Sequence, residues 1–118
     1  MSMTFHRPAR LLRALAAPAL LLATGLTAHA ADDATQMALG KKLFTTAVPA
    51  CAVCHTLKDA GAEGAVGPVL DELQPDAARV SKALRDGLGS MPSFKSSLTE
   101  AQIAALALYV SKASRGEK

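Results

Sequence analysis

The chain is 118 residues long, half hydrophobic, 3% aromatic and without tryptophan, a length that admits one small domain rather than two. Its formal charge of +3 comes from its first residues: Arg7, Arg10 and Arg13 are three of the 13 Lys and Arg, leaving ten against ten Asp and Glu from Ala31 onward. A balanced chain with no basic stripe and few aromatics gives a nucleic-acid partner no electrostatic support.

Residues 1–30 have the three parts of a secretory signal peptide. "MSMTFHRPARLLR" is basic, "ALAAPALLLATGL" is apolar, and Ala28 and Ala30 supply the small residues of a cleavage site. A membrane anchor fits worse, because the apolar run falls short of the ~20 residues that span a bilayer and contains Pro18. The expectation is cleavage after Ala30, export to the periplasm, no membrane anchor afterwards, and a working domain of residues 31–118. That domain has only Phe44, Phe94 and Tyr109 as aromatics. So small and alanine-rich a chain has little of its own to fill a core, and a cofactor would supply the missing volume.

Three helices can be placed along it. The first is expected from near Asp33, where Asp33 and Gln36 have capping-box spacing, with Met37, Gly40, Lys41 and Phe44 on one side and Pro49 beyond its end. The second follows Pro75, with Ala77, Val80 and Leu84 at helical spacing and Gly87 and Gly89 to stop it. The third opens on a capping box, Thr99 with Gln102, and a staple of Leu98 with Ile103. Its apolar stripe is Ile103, Leu106, Tyr109 and Val110. No stretch alternates long enough to suggest a strand. The fold class is all-α, with an unusually long connection from Thr56 to Gln74 that needs something to lie against.

"CAVCH", Cys51 to His55, carries the chemistry, because these are the chain's only two cysteines. A thioredoxin-like CxxC belongs in a mixed sheet that this chain does not offer. Structural zinc wants four ligands, and from Ala31 onward there are two cysteines and one histidine unless a carboxylate joins. A disulfide would close a very short loop and leave His55 without a purpose. C-x-x-C-H is the attachment signature of c-type haem: both thiols add across the haem vinyl groups and the histidine becomes the proximal iron ligand. The expected cofactor is one covalently bound haem c. Its sixth ligand would be Met91, Met37, a lysine or nothing. Met91 stands on a loop bounded by glycines and stiffened by Pro92, whereas Met37 occupies an apolar helix position where core packing explains it. A His55/Met91 pair would raise the haem potential and leave no open site, which suits electron transfer.

From Ala31 onward the chain resembles a class I cytochrome c in motif order and content: "GKKLF", CAVCH, "GPVL", a methionine–proline loop, then "LALYV" in a last helix. The resemblance implies three main helices wrapped around the haem. It also implies that the first and last helices cross at Gly40 beside Phe44 and Tyr109. The carbonyl of Pro68 would receive the proximal histidine's Nδ1 hydrogen. A narrower similarity covers "PACAVCHTLKDAGAEGAVGPVLDELQPDAARVSKALRDGLGSMPSF", which looks like the small cytochrome subunit of periplasmic sulfite dehydrogenases. It implies an electron-transfer subunit without substrate chemistry of its own. Its partners would be a molybdenum-cofactor sulfite-oxidising subunit and a soluble cytochrome c acceptor. A free-standing cytochrome shuttle is the alternative, and a haem sensor or peroxidase-like protein with an open iron site is a third. Lys41, Lys42, Arg79, Lys82 and Arg85 are candidates for a basic patch at the haem rim.

Overall fold

A computed structural model of the chain describes residues 23–117. Residues 1–22, with the basic start and most of the apolar run of the expected signal peptide, lie outside the described residues. Among the described residues no helix is long and apolar enough to cross a membrane.

Helix α1 spans Ala23–Thr46. In the uncleaved chain the helix thus begins ahead of the expected start near Asp33. Nothing between His29 and Leu39 is glycine or proline, so the helix passes through Asp33 without a break. The Asp33 carboxylate caps nothing and instead accepts from Lys112 Nζ at 2.8 Å, on the last helix. At the other end the hydroxyls of Thr45 and Thr46 both donate to the Lys42 carbonyl, and Pro49 follows.

The last helix, α5 (Glu100–Ala113), opens as its sequence indicates. Thr99 Oγ1 accepts from the Gln102 amide, and the Gln102 side chain accepts from the Thr99 amide at 2.9 Å. Leu98 packs against the core beside the fully buried Ile103. Helix α1 crosses α5 at Gly40, where an added Cβ would strike the Ala105 carbonyl and Tyr109 Cβ. The absence of a side chain brings the backbones together. Beside the crossing, the Phe44 and Tyr109 rings meet edge to face at 6.0 Å and 66°. The Tyr109 hydroxyl, which would otherwise be stranded, donates to Asp59 at 2.8 Å, and Lys41 pairs with the same carboxylate at 3.1 Å. Burial and then this acceptor push the Tyr109 hydroxyl pKa upward.

Between these helices the chain is more ordered than a bare loop. A single turn, α2 (Cys51–Cys54), leads into a hairpin of β1 (Thr56–Leu57) and β2 (Ala62–Glu63), with Thr56 opposite Glu63 and Leu57 opposite Ala62. A 3-10 turn over Lys58–Ala60 joins the strands, and Gly61 takes the left-handed conformation at φ 61°. Two-residue strands carry no alternation, which is why the sequence pattern showed none. A further helical turn, α3 (Leu70–Leu73), receives the Lys58 amide on Asp71. Its end at Gln74 is tied to the C-terminus of α5, because Arg115 Nη2 donates to the Gln74 carbonyl at 2.9 Å.

Helix α4 (Ala77–Asp86) is capped by Asp76, whose carboxylate accepts from the Arg79 amide at 2.7 Å. It packs on α5 and buries Leu84. The architecture is all-α apart from the small hairpin, with α1, α4 and α5 as the three main helices.

Candidate functional site

Between α2, α4, α5 and the segment after α4 lies a cavity of about 910 Å³, toward the upper end of the ~300–1,000 Å³ typical of ligand pockets. Its walls are mainly apolar, with Phe44, Leu84, Phe94, Leu106 and Val110 closing the inner side. CAVCH forms one wall, where Cys51, Cys54 and His55 all line the space.

The local chain explains how these three are held. The His55 amide closes the α2 turn onto the Cys51 carbonyl at 2.9 Å, so the motif forms one hydrogen-bonded unit. Gly67 then returns across it, its amide donating to the Cys54 carbonyl at 2.7 Å. Gly64 lies against the α2 backbone so closely that a Cβ would sit 2.6 Å from the Val53 oxygen. His55 Nδ1 lies 2.9 Å from the Pro68 carbonyl oxygen. A carbonyl only accepts, so Nδ1 carries the hydrogen and Nε2 keeps its lone pair for a ligand. A Cβ on Gly67 would stand 2.5 Å from His55 Cε1 and 2.8 Å from Nδ1. Glycine at this position lets the backbone lie flat on the ring. Sequence reasoning missed Gly64 and saw Gly67 only as part of GPVL, since glycines in a loop carry no mark of what they lie against.

The thiols are free, and burial pushes Cys51 up to about 11. Among the described residues no group of three His, Cys, Asp or Glu side chains is placed to hold a metal ion. The zinc reading of CAVCH therefore loses its support, and so does the thioredoxin-like one, since the described residues hold only a two-stranded hairpin rather than a mixed sheet.

Met91 lines the same cavity from another element. Its loop is shaped by an antiparallel bridge in which Leu88 and Met91 exchange amide–carbonyl bonds of 3.0 Å. Gly87 at φ 73° and Gly89 at φ 59° permit the reversal. Behind it the Phe94 amide donates to the Leu84 carbonyl at 2.7 Å, fixing the loop to α4. Met37 lies elsewhere, in a smaller groove with Asp33, Lys41, Tyr109 and Lys112, and is not part of this cavity.

Of the suggested basic patch, Lys41, Lys42 and Arg85 do not line the cavity. Arg79 and Lys82 line the cavity. Lys41 is held by Asp59 at the α1–α5 crossing, and Arg85 is held away by Glu100, with Nε and Nη2 at 2.9 and 2.6 Å from one carboxylate oxygen.

Residues 35–110 match the family model described as cytochrome c oxidase, cbb3-type, subunit III. The chain belongs to this family and is a c-type cytochrome. The c-type cytochrome SorU from Sinorhizobium meliloti, a solved structure, is 50% identical with a TM-score of 0.67, covering 70% of this chain and 94% of its own. No curated protein matches. The fold is that of a class I cytochrome c, the cofactor is covalently bound haem c, and the function is electron transfer. The cavity suits that cofactor on its own chemistry: a large apolar slot, two free thiols with an imidazole on one wall, and a thioether on another.

Proposed function

We propose that this cytochrome is the haem subunit of a periplasmic sulfite dehydrogenase. It takes electrons one at a time from a molybdenum-cofactor subunit that oxidises sulfite, and passes them to a soluble cytochrome c. The observation that carries this reading is the segment Pro49–Phe94, which resembles the small subunits of those enzymes. Apart from Phe44, Leu106 and Val110, that segment supplies every residue lining the cavity. Residues 1–30 act as the cleaved export signal.

Within the site, Cys51 and Cys54 would anchor the haem through thioether bonds, His55 and Met91 would ligate its iron, and the Pro68 carbonyl would orient His55. Haem, when bound, supplies a one-electron iron couple. The chain's task is to keep the ligands in one geometry in both oxidation states. The Pro68 hydrogen bond and the Gly67 backbone restrain the imidazole, and the Leu88–Met91 bridge restrains the thioether. Leu84, Phe94 and Leu106 keep water from the inner wall.

Two measurements test this. Affinity capture of the cytochrome from periplasm should bring down a stoichiometric molybdoprotein. The captured cytochrome should have the mass of a chain beginning at Ala31 plus one haem. A lone monomer favours the free shuttle, and a retained residue 1–30 segment overturns the export signal. In Met91→Ala, the absorption band of methionine-ligated ferric haem should vanish. The reduction potential should also fall by on the order of 0.1–0.3 V, within the ~0.8 V span that axial ligands control. An unchanged band sinks the Met91 assignment.

A further inference from the structure

Three side chains with full charges line the haem cavity: Arg79, Lys82 and Asp86, all on α4. Lys82 and Asp86 close on each other at 2.7 Å and are spoken for. The Arg79 amide binds the Asp76 cap, but its guanidinium has no hydrogen-bond or ion-pair partner among the described residues. Arg79 stands in the first turn of its helix, where the Asp76 carboxylate is already engaged by a backbone amide as the cap. An anion arriving there would be favoured by the guanidinium, which no carboxylate already neutralises. Haem brings such anions, because its two propionates are its only charged substituents.

We propose that the Arg79 guanidinium holds a haem propionate at the cavity mouth and so raises the reduction potential of the iron. This rests on haem occupying the cavity, not on which residue ligates the sixth position. A guanidinium grips a carboxylate with two parallel N–H donors, so both charge and fork geometry matter. A compensated propionate stays ionised, and its negative charge is masked from the iron. An uncompensated one favours the ferric state and gains a proton as pH falls. The other titratable or charged groups lining the cavity are His55, the two cysteines, Lys82 and Asp86. Haem attachment consumes the thiols, His55 is bound, and the ion pair is closed on itself.

The experiment is redox titration of the haem-loaded protein as a function of pH in wild type, Arg79→Gln, Arg79→Lys and Arg85→Gln. Wild type should hold a flat potential between about pH 5 and pH 7, the range in which a partly buried propionate would otherwise titrate. Arg79→Gln should lower the ferrous-to-ferric ratio at fixed ambient potential about three- to tenfold at pH 7. In that variant the ratio should climb again as pH falls through the same range, because protonation removes the unmasked charge. Arg79→Lys should lie between the two. Arg85→Gln, which removes an equal charge outside the cavity, should keep the flat profile.

A wild-type potential that already climbs on acidification overturns the proposal without any variant. So does an Arg79→Gln protein that keeps its haem and follows the wild-type curve, or an Arg85→Gln shift of equal size and slope. Loss of attached haem in Arg79→Gln leaves the decision to Arg79→Lys and the wild-type profile. An absent methionine band in wild type would count against Met91 as ligand and leave the Arg79 readout intact.

Discussion

A chain carrying Cys51→Ala and Cys54→Ala, and so holding no covalent haem, is expected to lose cooperative unfolding altogether. The cavity proposed for the cofactor measures about 910 Å³ in a small domain. Without the cofactor, the mainly apolar side chains that line this space would face water, in a domain of a kind stable by only ~5–15 kcal/mol. The walls must therefore collapse or separate. What separates follows from the contacts. Helix α4 rests on α5 along Leu84, and its remaining apolar face, with Val80 and Ala83, looks into the cavity. The Gly87–Phe94 segment is held chiefly through α4. The α1–α5 crossing lies behind the cavity, where Gly40, Ala105 and Tyr109 meet and only the neighbouring Phe44, Leu106 and Val110 reach its inner wall.

The haem-free variant should then keep part of its helical circular dichroism. Amides of Ala77–Phe94 should exchange at nearly unprotected rates, while those around Phe44 and Tyr109 should keep measurable protection. Its thermal melt should be broad and without a midpoint. A sigmoidal melt within about 10 °C of the haem-loaded protein would show that the polypeptide core suffices, and would remove the argument that the cofactor completes it.

Much of this arrangement is written in local signals. The Thr99–Gln102 capping box needs only residues three apart, and CAVCH needs only five in a row. In both cases the chemistry is complete within the stretch that announces it. Met91 could be singled out because its neighbours, Gly87, Gly89 and Pro92, restrict a short loop. The readings that failed depend on partners far along the chain. Asp33 has the spacing of a cap, yet its carboxylate is used by Lys112, and helix formers upstream leave nothing to cap. Asp59 carries no motif at all, although it satisfies the buried Tyr109 hydroxyl from 50 residues away. Arg79 and Arg85 are indistinguishable as exposed helix cations in the sequence. Only the structure shows Glu100 taking one and the cavity receiving the other.

Gly40→Ala is expected to reverse the usual sign of a helix substitution. In an exposed helix interior, alanine in place of glycine stabilises by roughly 0.5–1 kcal/mol, because it reduces the backbone freedom of the unfolded chain. Gly40 is interior to α1 but buried on α5. The new methyl would meet the Ala105 carbonyl and Tyr109 Cβ, and the Ala105 carbonyl carbon at 3.0 Å. None of these is the free end of a flexible side chain. Relief requires the two helices to move apart, which loosens the Phe44–Tyr109 contact and strains the Tyr109–Asp59 hydrogen bond together. Overpacking of this kind costs about 1–3 kcal/mol, enough to outweigh the propensity gain. For a domain of this size the net loss should lower the melting midpoint by roughly 4–8 °C per kcal/mol. Gly40→Val, with two more methyl groups in the same space, should fall further. The haem spectrum and potential should change less than the stability in Gly40→Ala, because Gly40, Ala105 and Tyr109 lie outside the cavity and only Phe44 beside them reaches its wall. A midpoint equal to or above wild type in Gly40→Ala would mean that the helices do not meet at this glycine. The close crossing would then have to be abandoned as the reason for a residue without a side chain there.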